Sequence, residues 1–148
     1  MKRSDKIIII GIGNNTRQDD GIGWAFLDKL QERGIESDML VYKYQLMVED
    51  AEMISNFQKV YFIDACKSEL PAGFEIVPIV ASEEVAFSTH FVPPDQVLNL
   101  SDSIYQKKPK AFAIKIQGYQ WDIEMGLSKQ ANANLNSAFD AFLDKESF

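Results

Sequence analysis

Short apolar runs alternate with amphipathic stretches along this chain. The run Lys6–Ile12 is almost continuously β-branched, which is typical of a strand that is buried on both faces of a sheet. After a glycine-containing loop, Ile22, Phe26 and Leu30 recur at the spacing of one helix face, and this pattern stops at Gly34. The chain is therefore expected to begin with a strand, a loop and a helix.

The same periodicities predict the other elements and the fold class. In chain order they are a strand Met39–Tyr44, a helix Glu49–Asn56, a strand Lys59–Asp64, a strand Phe74–Ile79, a helix Pro94–Gln106, a strand Lys110–Gln117 and a long helix from Leu127 onward. Pro78 would remove a ladder donor, so its strand is expected at a sheet edge. The alternation predicts an α/β fold, a three-layer αβα sandwich around a mostly parallel, twisted sheet of about five strands. Functional groups of such sheets lie at the carboxyl ends of the strands.

Length and charge narrow the class of protein. The 148 residues fit one domain over residues 1–148. The net charge of -7 argues against nucleic acids and anionic membranes as partners, because binding them requires clustered lysine and arginine. Cys66 is the single cysteine, so it can form no internal disulfide, and a buried packing role is expected for it. The apolar run near the N-terminus is too short for a signal peptide or a membrane span, which predicts a cytoplasmic protein.

The first loop begins like a dinucleotide-binding fingerprint but does not continue as one. Thr16 stands where a third glycine is required, and the carboxylates of Asp19 and Asp20 would repel a pyrophosphate. A P-loop is excluded because no Gly-Lys-Ser/Thr follows. A nucleotide- or phosphate-binding domain is therefore the weakest candidate.

Three acids lie where this sheet would place functional groups. Asp19 and Asp20 could cap the first helix, but two adjacent acids exceed what one cap needs. Arg17 is expected to brace the loop through one of them. Asp64 ends a predicted buried strand, where an unpaired carboxylate is costly to desolvate. Either amides of a following helix or a metal or cationic substrate should compensate it.

His90, the one histidine, lies in a polar loop just before a predicted helix. A lone histidine is commonly structural or solvated, but it becomes a candidate ligand when two acids can converge on it. Asp20, Asp64 and His90 would form a mixed oxygen and nitrogen site for a divalent first-row ion such as nickel, zinc or manganese. Gln45 and Glu49 are candidates for the wall of that site or for solvated positions at a helix start.

Taken together, five motifs resemble the hydrogenase maturation peptidases. They are Ile-Gly-Ile-Gly-Asn-x-x-Arg-x-Asp-Asp-Gly-Ile-Gly at 10–23, Gln45-Leu46 with Glu49, Phe62-Ile63-Asp64-Ala65, the Ser-Thr-His of 88–90, and Glu124-x-Gly-Leu-Ser128. The resemblance runs from about Lys6 to the last helix. It implies a protease that removes a short C-terminal extension from the nickel-loaded large-subunit precursor of a hydrogenase.

The resemblance also implies which residues carry this reaction. Asp20, Asp64 and His90 would be the catalytic, nickel-contacting groups, with the nickel delivered in the substrate. The metal would serve as a recognition handle, and activation of the scissile carbonyl is left open as a second role. The expected partner is the precursor protein, met by a monomer. A non-catalytic, metal-dependent assembly factor or chaperone that binds the same precursor is the alternative.

Overall fold

The computed structural model describes residues 6–83 and 92–148. Within these ranges the chain forms β1 (Ile7–Ile12), α1 (Ile22–Glu32), β2 (Leu40–Lys43), α2 (Asp50–Ser55), β3 (Lys59–Cys66), β4 (Phe74–Pro78), α3 (Pro94–Tyr105), β5 (Lys110–Gln117) and α4 (Lys129–Glu146). A short 3-10 turn, Gln18–Gly21, leads into α1. None of the helices in the described residues is long and apolar enough to cross a membrane.

The strands form one sheet in the order β2-β1-β3-β5-β4. Four of them are parallel, and the edge strand β4 runs antiparallel to β5. The hydrogen bonds from the Ile79 N–H to the Ala111 carbonyl and from the Gln117 N–H to the Gly73 carbonyl flank β4. By the alternation of an antiparallel ladder, the nitrogen of Pro78 then points away from β5, where no donor is needed. The edge position predicted from Pro78 is confirmed.

Helices cover both faces of this sheet because alternate residues of each strand are apolar on opposite sides. On one face, Ile9 and Tyr61 pack with Phe26 of α1 and Phe142 of α4. On the other, the side chains of β1 and β3 pack against α2 and α3, through residues that include Ile8, Ile10, Val60, Phe62, Ile54 and Val97. The predicted three-layer αβα sandwich with a mostly parallel five-stranded sheet is confirmed.

The end of β3 differs from the prediction. Asp64 lies inside the strand, which continues to Cys66 because residues 64–66 pair in register with residues 115–117 of β5. The next element along the chain is β4 rather than a helix. The expectation that amides of a following helix compensate the Asp64 carboxylate is therefore wrong.

Candidate active site

Glycines hold the loop after β1 tightly against the sheet. A Cβ atom at Gly23, in the first turn of α1, would lie 2.6 Å from the Ile63 carbonyl oxygen and 2.8 Å from that of Ile12. Gly13 has a φ of +150°, and a Cβ there would lie 2.0 Å from the Asp20 carbonyl oxygen. These glycines permit backbone-to-backbone packing of α1 and its entry turn on β1 and β3. The turn that carries Asp20 is thereby placed beside the carboxyl end of β3.

Asp19 has a structural role, and its side chain does not cap α1. Its carboxylate has no exposed surface. It accepts hydrogen bonds from the backbone N–H groups of Tyr119 (2.7 Å), Gln120 (2.9 Å) and Ser128 (2.7 Å), and from the Ser128 hydroxyl (2.7 Å). Ser128 is the N-cap of α4, whereas Gly21 is the N-cap of α1. Asp19 therefore ties the loop after β1 to the start of the last helix.

The charge of Asp19 is stabilised by these bonds. Burial raises the pKa of the Asp19 carboxyl, but the hydrogen bonds from Ser128, Tyr119 and Gln120 outweigh burial and hold the pKa below its usual value. The group is thus an ionised carboxylate at neutral pH.

Asp20, one residue later, faces a cavity instead. This cavity has a volume of about 210 Å³ and is lined by Arg17, Asp20, Asp64, Ala65, Lys67 and Trp121. It lies at the carboxyl edge of the sheet, where the strand rule predicts functional groups. A larger groove of about 450 Å³ between Pro78 and Lys110 has no acidic residue in its lining, so its chemistry does not compete with that of the carboxylate pair.

The two carboxyls of the cavity influence each other. Desolvation raises the pKa of Asp20, while the positive charges of Arg17 and Lys67 pull it down again. The pKa of Asp64 is raised to about 7 as the net result of three causes: desolvation raises it most, the hydrogen bond from the Ala65 N–H lowers it, and the negative charge of Asp20 raises it. Asp64 is nevertheless exposed to solvent. A bound cation would relieve the repulsion between the two carboxylates, and both carboxylates are accessible to a cation in the cavity.

Two cations share the cavity with the acids. The Arg17 guanidinium donates to the Trp121 carbonyl oxygen at 3.5 Å, and the Lys67 ammonium lies 5.2 Å from the centre of the Trp121 ring. The sequence predicts that Arg17 braces the loop through an acid; its positive charge does act on Asp20, while its hydrogen bond goes to the backbone of Trp121. Sequence reasoning missed Lys67 and Trp121, because Trp121 reaches the cavity through the segment after β5, far along the chain.

Three other sequence candidates lie outside the lining of this cavity. The Gln45 amide donates to the Met47 sulfur at 3.7 Å, and Gln45 lines a different cavity, together with Tyr44 and Met47. Glu49 is an exposed residue at the start of α2. Cys66 is half-buried, and its carbonyl oxygen accepts from the Gly118 N–H at 2.9 Å. The buried packing role predicted for Cys66 is borne out only in part, because the residue is half-buried and belongs to neither core cluster of the described residues.

The fit of this site to a metal ion rests on Asp20 and Asp64. Two carboxylates in one cavity, each with a raised pKa, suit a divalent cation. His90 lies outside the described residues, so its part in the site stays a prediction. Within residues 6–83 and 92–148, no group of three histidine, cysteine or acidic residues is arranged to hold a metal. The two acids fit as part of a coordination sphere that other donors complete.

Comparison by sequence gives a related protein. No protein-family model matches the chain. The chain is 26% identical over 156 aligned positions to a Methanocaldococcus jannaschii protein named "putative hydrogenase maturation protease", and the alignment covers 97% of each chain.

Comparison of structures gives the same kind of protein. The [NiFe] hydrogenase maturation protease HycI from Thermococcus kodakarensis superposes with a TM-score of 0.70 at 24% identity, over 94% of this chain and 90% of that one. The hydrogenase maturating endopeptidase HybD from Escherichia coli gives a TM-score of 0.68 at 23% identity, over 96% and 93%. The chain has the fold of these proteases, and the resemblance recognised in its motifs is confirmed.

Proposed function

We propose that this chain, a relative of the hydrogenase maturation proteases in sequence and fold, is an endopeptidase that removes a C-terminal extension from a nickel-loaded hydrogenase large-subunit precursor. The single observation that carries the proposal is the pairing of Asp20 and Asp64 in one open cavity at the carboxyl edge of the sheet. The proposal includes action as a monomer in the cytoplasm, as expected from the sequence.

In this proposal, nickel belongs to the substrate. Asp20 and Asp64, with His90 as the predicted third group, would contact the metal that the precursor carries. Bound there, the metal would supply a recognition handle and a Lewis acid beside the scissile carbonyl. The isolated protein is therefore expected to need no resident metal.

The residues around the cavity would keep the two acids in place while the substrate binds. Asp64 is held in the middle of a parallel ladder, since its neighbours on both sides pair with β5. Asp20 is held in place because Gly13 packs against the Asp20 carbonyl group. The buried hydrogen bonds between adjacent Asp19 and Ser128 also fix its position. Such support reduces the reorganisation that substrate binding would otherwise require.

The direct test is a cleavage assay with two precursors. The purified chain is mixed with a nickel-loaded hydrogenase large-subunit precursor from the same cell, with a nickel-free precursor in parallel, and the products are weighed by mass spectrometry. We expect loss of one defined C-terminal peptide only when nickel is present. An intact precursor would overturn the peptidase assignment. If the intact precursor remained bound, the chain would be a metal-dependent assembly factor instead.

A further inference from the structure

The cavity at Asp20 and Asp64 is lined by equal numbers of acidic and basic side chains. Arg17 and Lys67 balance the two carboxylates, so the formal charge of the four groups is zero when both acids are ionised. Sites that capture free dications gain affinity from excess negative charge among their ligands. In this cavity the guanidinium and the ammonium would offset the attraction between a free dication and the two carboxylates.

The positions of the two cations suit a second, negatively charged part of a ligand. Trp121 holds both, one through its carbonyl oxygen and one over its ring. Both side chains are exposed. Arg17 uses one of its five N–H donors in the hydrogen bond to Trp121, so the other donors can bind an incoming anion. The positive charge of each is felt at Asp20, since each lowers the pKa of that carboxyl.

We infer that Arg17 and Lys67 make this site selective. It would bind a divalent metal that arrives in an anionic complex more tightly than it binds the free dication. The ligand class is a metal ion that already carries carboxylate or thiolate ligands from a partner and keeps open coordination positions. The carboxylates of Asp20 and Asp64 would contact the metal, and the two cations would face the negative charge of its other ligands. This inference rests on the metal-binding role that the proposed function gives to the two acids.

Two nickel probes of opposite charge test the inference without any cleavage assay. One is the hydrated nickel ion, and the other is nickel nitrilotriacetate, which carries a net negative charge and has open coordination positions. Their affinities are measured by calorimetry at low ionic strength, where screening is weak. The proteins are the wild type, Arg17→Gln, Lys67→Met and the double variant. Lys108→Met removes the same charge from an exposed lysine before β5, at the other end of that strand, and serves as the matched control.

The expected result is a change of opposite sign for the two probes. In the double variant, the affinity for the hydrated ion should rise by about tenfold and the affinity for the anionic complex should fall by about as much. Each single variant should show part of this change, and Lys108→Met should match the wild type. Asp64→Asn should weaken both probes, which locates them in the cavity. Loss of folding would weaken both probes, so it cannot imitate the expected pattern.

Two outcomes overturn the inference, and they differ in what they say about the proposed function. If the cation variants leave both affinities unchanged or move them in one direction, the inference is wrong while the metal site at Asp20 and Asp64 stands. If no probe binds in a manner that depends on Asp64, the inference fails together with the metal role of the acids. The cleavage assay with precursor then still decides the peptidase activity independently.

Discussion

Asp19 accepts two hydrogen bonds from Ser128, one from its backbone N–H and one from its hydroxyl, each at 2.7 Å. The contact joins the loop after β1 to the N-cap of α4 across 109 positions of the chain. The two adjacent acids therefore have different roles, because Asp19 is buried in the fold and Asp20 faces the cavity.

We expect Asp19→Asn to destabilise the protein by about 3 kcal/mol, because the amide offers one acceptor oxygen in place of two and turns an NH₂ group toward buried N–H donors. Urea unfolding followed by circular dichroism measures this loss. Asp122→Asn is the matched control, since Asp122 is an exposed acid of the same segment. Equal unfolding midpoints for the two variants would contradict the structural role of Asp19.

The acid limb of the stability curve should also depend on Asp19. Its folded pKa is lowered, so its contribution is present above the unfolded value near 4 and is lost as the pH falls through the folded pKa. The wild type should therefore lose more stability than Asp19→Asn between about pH 5 and pH 2. Unfolding free energies measured at intervals over this range check the difference, and parallel curves would show that the Asp19 pKa is not lowered.

Elements with a local periodic pattern could be predicted from the sequence. The predicted strand Lys110–Gln117 has the observed bounds, and the predicted helix Pro94–Gln106 extends only one residue beyond the observed one. Each buries a regular set of side chains, so its own residues encode it. The end of β3 could not be predicted in this way, because Ala65 and Cys66 are held in the strand by pairing with β5.

The candidate site also has a part that local sequence predicts and a part that depends on contacts between distant segments. Asp19 and Asp20 both stand at a helix entry in the sequence, and the structure supplies the physical difference between them, because Asp19 is buried and Asp20 lines the cavity. The partners of Asp19 come from the segment after β5, as does Trp121 in the cavity wall. Lys67 directly follows β3, and the structure shows its effect on the acids, because its charge lowers the pKa of Asp20.

Replacement of Gly23 by alanine tests how α1 is seated on the sheet. Alanine favours a helix by about 1 kcal/mol over glycine, so an unconstrained position would gain stability. Here the added Cβ would lie 2.6 Å from the Ile63 carbonyl oxygen and 2.8 Å from that of Ile12. Both distances are too short for a stable contact, so the helix must move. We expect a net destabilisation of about 1–3 kcal/mol in urea unfolding. A stabilised variant would show that the helix is not seated against these carbonyl groups.

Asp64→Asn should stabilise the metal-free protein while removing a site carboxylate. The folded pKa of Asp64, about 7, is raised, so its contribution to stability is full below the unfolded pKa near 4 and is lost as the pH rises toward 7. Because solvent reaches the residue, we expect the variant to gain only about 1 kcal/mol at pH 8. Unfolding curves at pH 4 and pH 8 measure it, and the gain should vanish at pH 4. A variant that is less stable at pH 8 would contradict the unfavourable desolvation of Asp64.

Cleavage of the nickel-loaded precursor should depend on Asp20, Asp64 and His90 together. Loss of a group that only supports a metal ligand commonly costs about 10- to 100-fold in activity, so loss of a ligand itself should exceed that. We expect Asp20→Asn, Asp64→Asn and His90→Gln each to lower kcat/KM by about a hundredfold or more, measured by mass spectrometry of the released peptide. Asp122→Asn should cleave like the wild type, and unfolding curves will show that each variant is folded. Normal cleavage by a folded Asp20→Asn or Asp64→Asn variant would remove the carboxylate pair from the mechanism. Normal cleavage by His90→Gln alone would leave the pair in place and assign the third metal-contacting position to the substrate.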